Sequence, residues 1–155
     1  MTPTPSSVAA FLLCRRIAVA GVSRSGNAPA NAIFRKLRAC GVEAIAVNPQ
    51  ADVLEGSKCY RDLAAVPGVV DGLMVVTHPD VAEGLVRQAA ARGIHKIWFH
   101  RSFGEGSVSA PALRVCTELG IEPIVGGCPM MYCEPVDVAH RCMRWWLGRQ
   151  GCIPV

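Results

Sequence analysis

Residues 17–24 read Ile17-Ala18-Val19-Ala20-Gly21-Val22-Ser23-Arg24, and this stretch decides the fold class. The apolar run Ile17–Ala20 predicts a buried strand, and Gly21 allows a tight turn before a helix predicted at residues 30–40. A strand that enters a helix through a loop of small residues can hold a phosphate, because backbone N–H groups and the positive end of the helix dipole converge there. Gly21, Val22, Ser23 and Arg24 are therefore the first candidate binding residues.

The spacing of the glycines differs from the dinucleotide-binding fingerprint, since they fall at Gly21 and Gly26. The second predicted strand runs into Val47-Asn48-Pro49, where an NAD-binding domain usually has an acid for the ribose hydroxyls. Asp52 follows only after the proline, in a predicted loop. We interpret Val47, Asn48 and Pro49 as a neutral, rigid shelf that lies against an adenosine and tolerates a nearby phosphate, which an acid would repel.

Apolar periodicity along the rest of the chain predicts alternating strands and helices. The sequence predicts α/β architecture: a Rossmann-like, doubly wound parallel sheet of five strands with helices on both faces and an extra C-terminal helix. The expected order is 3-2-1-4-5, with the ligand at the switch point between the first and fourth strands. The predicted strands are 17–20, 43–47, 72–76, 96–99 and 122–125, and the predicted helices are 8–14, 30–40, 80–92, 109–119 and 136–147, with 48–58 as a loop.

Four short motifs follow predicted strands in order along the chain: Gly21-Val22-Ser23, Val47-Asn48-Pro49, Val76-Thr77-His78-Pro79 and Gly127-Cys128-Pro129. As a set, over residues 15–129, they resemble the small bacterial CoA-binding proteins of the Rossmann type. They are more distantly similar to the CoA-binding domain of the succinyl-CoA ligase α subunit. The resemblance implies that the serine loop holds a CoA phosphate, that the Asn-Pro shelf flanks the nucleotide, and that Val76, Thr77 and His78 line the groove.

Composition favours one globular domain over residues 1–155, with a core at about 15–129 and a helical extension at 130–155. Apolar residues make up 51% of the 155-residue chain and charged residues 18%, which argues against disorder. The apolar runs are too short to span a bilayer, and the first residues lack a basic signal-peptide region, so we expect a cytoplasmic protein without membrane contact. The net charge of +4 forms no basic stripe, which argues against nucleic acid. A few cations near strand ends suit a polyanionic ligand: Arg24, Lys58, Arg61 and Arg101.

The eight cysteines do not form the short Cys-x-x-Cys pairs that are typical of zinc sites. His140 and Cys142 are two residues apart on a predicted helix and diverge, so no metal site is predicted. Cys14, Cys40, Cys59 and Cys116 suit small buried positions. Cys128 is the best-placed thiol for a reversible mixed disulfide with CoA, which is chemically possible, but packing is its expected role.

The sequence does not place a nucleophile–base pair or paired carboxylates at the predicted groove. In the ligase relatives, chemistry requires further domains, so the resemblance favours a non-catalytic binding or regulatory module for CoA or acyl-CoA. Self-association stays open, with Trp145 and Trp146 anchoring the last helix on the body or on a second subunit. Two alternatives remain: an NAD(P)-binding enzyme or redox sensor that reads the ribose through Asp52 or Arg24, and a bare interaction domain.

Overall fold

A computed structural model describes residues 3–155 of the chain. These residues form five α-helices and seven strands, and the bounds of the predicted elements lie within two residues of the observed ones. The helices are α1 (Ser6–Leu12), α2 (Pro29–Ala39), α3 (Pro79–Ala91), α4 (Ala110–Glu118) and α5 (Val138–Arg149). The strands are β1 (Arg16–Ala20), β2 (Glu43–Val47), β3 (Val53–Leu54), β4 (Ser57–Tyr60), β5 (Gly72–Val75), β6 (Lys96–Phe99) and β7 (Ile124–Val125), and a 3₁₀ turn covers Pro129–Met131.

The strands form one sheet in the order β3-β4-β2-β1-β5-β6-β7. All neighbours are parallel except β3 and β4, which form an antiparallel hairpin. The predicted Rossmann-like α/β fold is confirmed, but the sheet has seven strands rather than five. Residues 48–58 were expected to be a loop, but β3 and the first half of β4 lie there instead. A strand of two residues such as β3 is too short to show a periodicity in the sequence.

The predicted assignment of the third strand is wrong. β5 lies beside β1, with Ala20 opposite Val75, and not beside β2. The place beside β2 belongs to β4, where Val47 is opposite Tyr60 and the Asn48 amide donates to the Tyr60 carbonyl at 2.9 Å. The five predicted strands therefore lie in the order 2-1-3-4-5, and the predicted order 3-2-1-4-5 is wrong, because β4 and not β5 occupies the place beside β2. The switch point therefore lies between β1 and β5.

Side chains alternate along β1 between the two faces of the sheet, as the period of two in a strand requires. Ile17 and Val19 pack into the cluster that α1, α2 and α5 cover, whereas Ala18 and Ala20 pack into the cluster under α3 and α4. The predicted placement of helices on both faces and the extra C-terminal helix are thus confirmed. Among the described residues, no helix has both the length and the hydropathy needed to cross a bilayer.

Candidate functional site

A groove of about 500 Å³ opens at the carboxyl ends of β1, β2 and β5. It lies at the switch point, because β1 continues into α2 on one face of the sheet while β5 continues into α3 on the other. Loops diverge at such a point and leave room for a ligand. The lining residues are Ala20, Gly21, Val47, Asn48, Pro49, Arg61, Thr77, Asp80, Val81, Gly84, Leu85 and Gln88.

Gly21 allows the loops after β1 and β5 to meet backbone against backbone. Its φ is +111°, and a Cβ at this position would lie 2.1 Å from the Val76 carbonyl oxygen. The Val76 amide in turn donates to the Ala20 carbonyl at 3.0 Å. A side chain at residue 21 would force these two loops apart, so the glycine is a requirement of the close approach.

A buried amide side chain fixes the serine loop from within. Asn31, in the first turn of α2, is fully buried, and its Oδ1 accepts from the Ser23 amide at 3.0 Å. Its Nδ2 donates to the Ser23 carbonyl at 2.9 Å and to Glu55 Oε1 at 2.7 Å. The Ser23 amide, which the sequence predicted as a phosphate donor, is therefore already paired within the protein. The Ser23 hydroxyl lies 2.8 Å from that of Ser25.

Glu55 anchors this arrangement from the tip of the β3–β4 hairpin, where its φ is +51°. Its Oε1 also accepts from the Arg35 guanidinium at 2.7 Å. The hydrogen bond from Asn31, followed by that from Arg35, holds the pKa of the Glu55 carboxyl below its ordinary value. We call Asn31, Glu55 and Arg35 the loop clamp, because together they tie the serine loop to α2 and the hairpin.

The Asn48-Pro49 shelf is held by side chains on both sides. Asn48 Nδ2 donates to the Val22 carbonyl at 3.0 Å, and its Oδ1 accepts from the Gln50 amide at 2.8 Å. The exposed Arg24 guanidinium donates to the Gln50 carbonyl and joins the loop after β1 to the loop after β2. These contacts give a fixed, uncharged surface along one side of the groove.

The loop after β5 presents a buried polar atom without a partner. Thr77 Oγ1 is buried and makes no hydrogen bond to any residue in 3–155, although Thr77 lines the groove. The Thr77 carbonyl is engaged, since it accepts from the Ser107 hydroxyl at 2.7 Å. Buried polar atoms are rarely left unpaired in folded proteins.

His78 caps α3 and does not line the groove. Its Nδ1 accepts from the Asp80 amide at 3.4 Å and lies 3.2 Å from Asp80 Oδ2. Its side chain is 75% exposed. His100, after β6, is largely buried, which lowers its pKa to about 4, and its Nε2 lies 3.1 Å from the Ser102 hydroxyl. Both histidines thus have local partners.

The groove brings together half of the residues that the sequence proposed for binding. Gly21, Val47, Asn48, Pro49 and Thr77 line it, whereas Val22, Ser23, Arg24, Val76 and His78 do not. Val22 is fully buried in the core instead.

Sequence reasoning missed the wall of the groove that α3 forms. The missed residues on α3 are Asp80, Val81, Gly84, Leu85 and Gln88, whereas Arg61, which also lines the groove, had been noted as a cation that suits a polyanionic ligand. Gly84 was a usable signal, because a glycine inside a helix is unfavourable and suggests that space is needed there. The Leu63 amide donates to Gln88 Oε1 at 3.1 Å and ties the segment that carries Arg61 to α3.

Cys128 is not an exposed thiol, contrary to what a mixed disulfide with CoA requires. It is buried beside Met131 and Tyr132 in the core, and burial raises its pKa to about 11. Its thiolate, the form that attacks a disulfide, is therefore strongly disfavoured. Cys40, expected to be buried, is exposed. The burial of Cys128 agrees with the packing role that the sequence favoured for it.

Residues 15–134 match the family described as the CoA binding domain. A conserved hypothetical protein from Pyrococcus furiosus is 33% identical, with a TM-score of 0.65 over 74% of this chain and 95% of that one. A hypothetical protein from Pyrococcus horikoshii shares the fold at 22% identity, with a TM-score of 0.76 over 88% of this chain and 98% of that one.

A larger enzyme contains a similar domain. The dinucleotide-forming acetyl-coenzyme A synthetase 1 of Ca. Korarchaeum cryptofilum is 25% identical, with a TM-score of 0.61 over 72% of this chain but only 26% of that one. This chain thus corresponds to about a quarter of that enzyme. The family match over most of the chain, with the fold and the groove at its switch point, shows that this chain belongs to the CoA-binding domain family.

Proposed function

We propose that this protein binds coenzyme A, free or acylated, in the groove between the β1, β2 and β5 loops and α3, and that it acts as a binding or regulatory module. The observation that carries the proposal is the Thr77 hydroxyl, which is buried, unpaired within residues 3–155 and part of the groove lining. A ligand with hydrogen-bonding groups would satisfy it. The family of the chain identifies CoA as the first ligand to test.

The chemistry of the groove fits a nucleotide with a long apolar arm. Asn48 and Pro49 offer an uncharged shelf for an adenosine, and Arg61 is the cation among the lining residues for a phosphate. Val81 and Leu85 on α3 supply apolar surface for the adenine ring or the pantetheine arm. The titratable groups of the lining are Arg61 and Asp80, which do not form a nucleophile–base pair. We therefore propose binding rather than chemistry at this site.

Gly84 permits a direct test of the groove. A Cβ at Gly84 would meet nothing within 4 Å, so larger side chains fit the fold but occupy the space that the ligand needs. Calorimetry with CoA should show at least a tenfold loss of affinity for Gly84→Phe, about 1.4 kcal/mol. Ala91→Phe is the matched control, since Ala91 is exposed on the same helix and does not line the groove.

The control should bind CoA as tightly as the wild type does. If Gly84→Phe remains folded and binds CoA with unchanged affinity, the groove is not the CoA site. Parallel titrations with NAD and with dephospho-CoA test the ligand itself. Tighter binding of NAD than of CoA would overturn the proposal.

A further inference from the structure

Two free thiols lie side by side where the C-terminal end of α2 packs against the segment between the 3₁₀ turn and α5. Cys40 directly follows the last residue of α2 and is exposed, whereas Cys133 is buried, with 5% of its surface exposed. The Cys40 side chain is a hydrogen-bond partner of the Cys133 thiol. An accessible sulfur atom therefore lies in contact with a sulfur atom that solvent does not reach.

Neighbouring contacts hold the two thiols in this position. The Cys40 thiol donates to the Glu134 carbonyl at 3.6 Å, although the two residues are 94 apart in the sequence. Lys36, one helical turn before Cys40, donates from Nζ to the Pro135 carbonyl at 2.6 Å. The end of α2 is thus tied to the two residues that follow Cys133.

Neither cysteine lies within a helix or a strand. Cys40 is the first residue after α2, and Cys133 follows the 3₁₀ turn, where its amide donates to the Pro129 carbonyl at 2.9 Å. A covalent bond between the two sulfur atoms would therefore join the ends of two elements, and a small adjustment there leaves the helical hydrogen bonds of α2 and α5 in place.

The different surroundings of the two thiols give them different roles in an exchange reaction. A solute can reach Cys40 and cannot reach Cys133 directly. Burial, with the Cys40 thiol beside it, raises the pKa of Cys133, so that this thiol stays protonated and unreactive towards solutes. The ammonium group of Lys36 acts in the opposite direction and favours the Cys133 thiolate. Cys40 is therefore the first thiol to react, and Cys133 is held where it can attack the product.

We propose that Cys40 and Cys133 form a reversible dithiol–disulfide site that small-molecule disulfides oxidise. The Cys40 thiolate attacks one sulfur atom of the small disulfide, whose S–S bond breaks, and the leaving thiolate takes up the proton that Cys40 has lost. Cys133 then gives up its proton and attacks the Cys40 sulfur, which releases the second small thiol with that proton. Two protein thiols are oxidised to one disulfide, and one small disulfide is reduced to two thiols.

This site goes beyond the proposed binding of CoA and is separate from it. The residues that line the CoA groove are different ones, on the loops after β1, β2 and β5 and on α3. The new bond would fasten the end of α2 to the segment that leads into α5. In reducing compartments, protein disulfides are usually transient and respond to the redox state.

Mass spectrometry after treatment with oxidised glutathione tests the site. The folded wild type is incubated without CoA, its remaining thiols are alkylated in denaturant, and the peptides are mapped. We expect a peptide pair that joins Cys40 to Cys133, and dithiothreitol should release it. Cys142 is the internal control, because it is exposed and its neighbours in a surface depression are Arg141, Trp145 and Trp146. It should stop at a mixed disulfide with glutathione.

Two variants separate the steps of the exchange. Cys133→Ala should trap glutathione on Cys40, because the second thiol is missing. Cys40→Ser changes an exposed residue, and it should abolish the cross-link and leave Cys133 free for alkylation. A wild type in which Cys40 retains glutathione, as Cys142 does, would overturn the proposal, as would a Cys133 that is oxidised equally well in Cys40→Ser. These outcomes do not depend on whether the groove binds CoA.

Discussion

At the scale of the residue, we expect the Thr77 hydroxyl to strengthen CoA binding without stabilising the free protein. Thr77→Val keeps the shape of the side chain and removes a buried oxygen that has no partner in the described chain. A hydrogen bond contributes about 0.5–1.5 kcal/mol net, so CoA affinity should fall up to about tenfold. The free energy of unfolding should stay equal or rise, because an unpaired buried polar group is costly.

Calorimetry and urea denaturation of the Thr77→Val variant measure these two effects separately. Thr117→Val is the control, because the Thr117 hydroxyl donates to the Leu113 carbonyl on the exposed side of α4, away from the groove. It should leave CoA affinity unchanged. Wild-type affinity in Thr77→Val would show that the ligand does not use this hydroxyl.

Glu55 should stabilise the serine loop in a pH-dependent way. Its pKa is lower in the folded protein, so its contribution is present above the unfolded pKa of about 4.3 and is lost as pH falls through the depressed folded pKa. Glu55→Gln removes the charge that holds Arg35. We expect this variant to be less stable than the wild type at neutral pH, with the difference shrinking in acid. Urea denaturation across this pH range measures it.

Amide hydrogen exchange distinguishes a loss of order in the serine loop from a general loss of stability. The Ser23 amide should exchange faster in Glu55→Gln, since its acceptor Asn31 Oδ1 loses support from Glu55. Glu43→Gln is the control, because it breaks a pair with Arg16 of similar kind, 3.2 Å apart, on a different part of the sheet. Equal exchange at Ser23 in both variants would contradict the role of the loop clamp.

At the scale of the element, two glycines should respond to alanine in opposite directions. Gly84→Ala should raise the free energy of unfolding by up to about 1 kcal/mol, because alanine favours a helix interior and meets no neighbour there. Gly21→Ala should lower the free energy of unfolding by about 1–3 kcal/mol or more. A non-glycine residue is strained at this positive φ, and its Cβ would also clash with the Val76 carbonyl oxygen. Thermal or chemical unfolding of both variants checks the pair, and the same sign for both would contradict it.

At the scale of the whole molecule, CoA should stabilise the fold. The groove joins loops after β1, β2 and β5 to α3, so a ligand there holds together elements that pack on both faces of the sheet. At 100 times its dissociation constant, a ligand adds about 2.7 kcal/mol to the free energy of unfolding. Thermal melts should therefore shift upward with CoA and much less with NAD at the same concentration. A larger shift with NAD would indicate a different nucleotide ligand.

The sequence by itself determined the fold class, most element positions and the family. These were predictable because they depend on local patterns: the apolar run before Gly21, the helical periodicities and the motifs after the strands. Backbone sterics and the alternation of apolar residues act over a few neighbouring residues, so a short stretch of sequence shows them. Half of the proposed binding residues line the groove for the same reason, since loops after parallel strands meet at one edge of the sheet.

Only the tertiary structure decided what depends on contacts between distant segments. β4, and not β5, pairs with β2, which the sequence did not predict. Residues of α3 form one wall of the groove, and no sequence motif indicated that they would. Asn31 and Glu55 are 24 residues apart, and Ser107 and Thr77 are 30 apart. Cys128 is likewise buried in a cluster with residues of α1 and α2, which are distant from it in sequence. Long-range packing determines which partners a side chain has and how exposed it is, so a local sequence pattern cannot predict either.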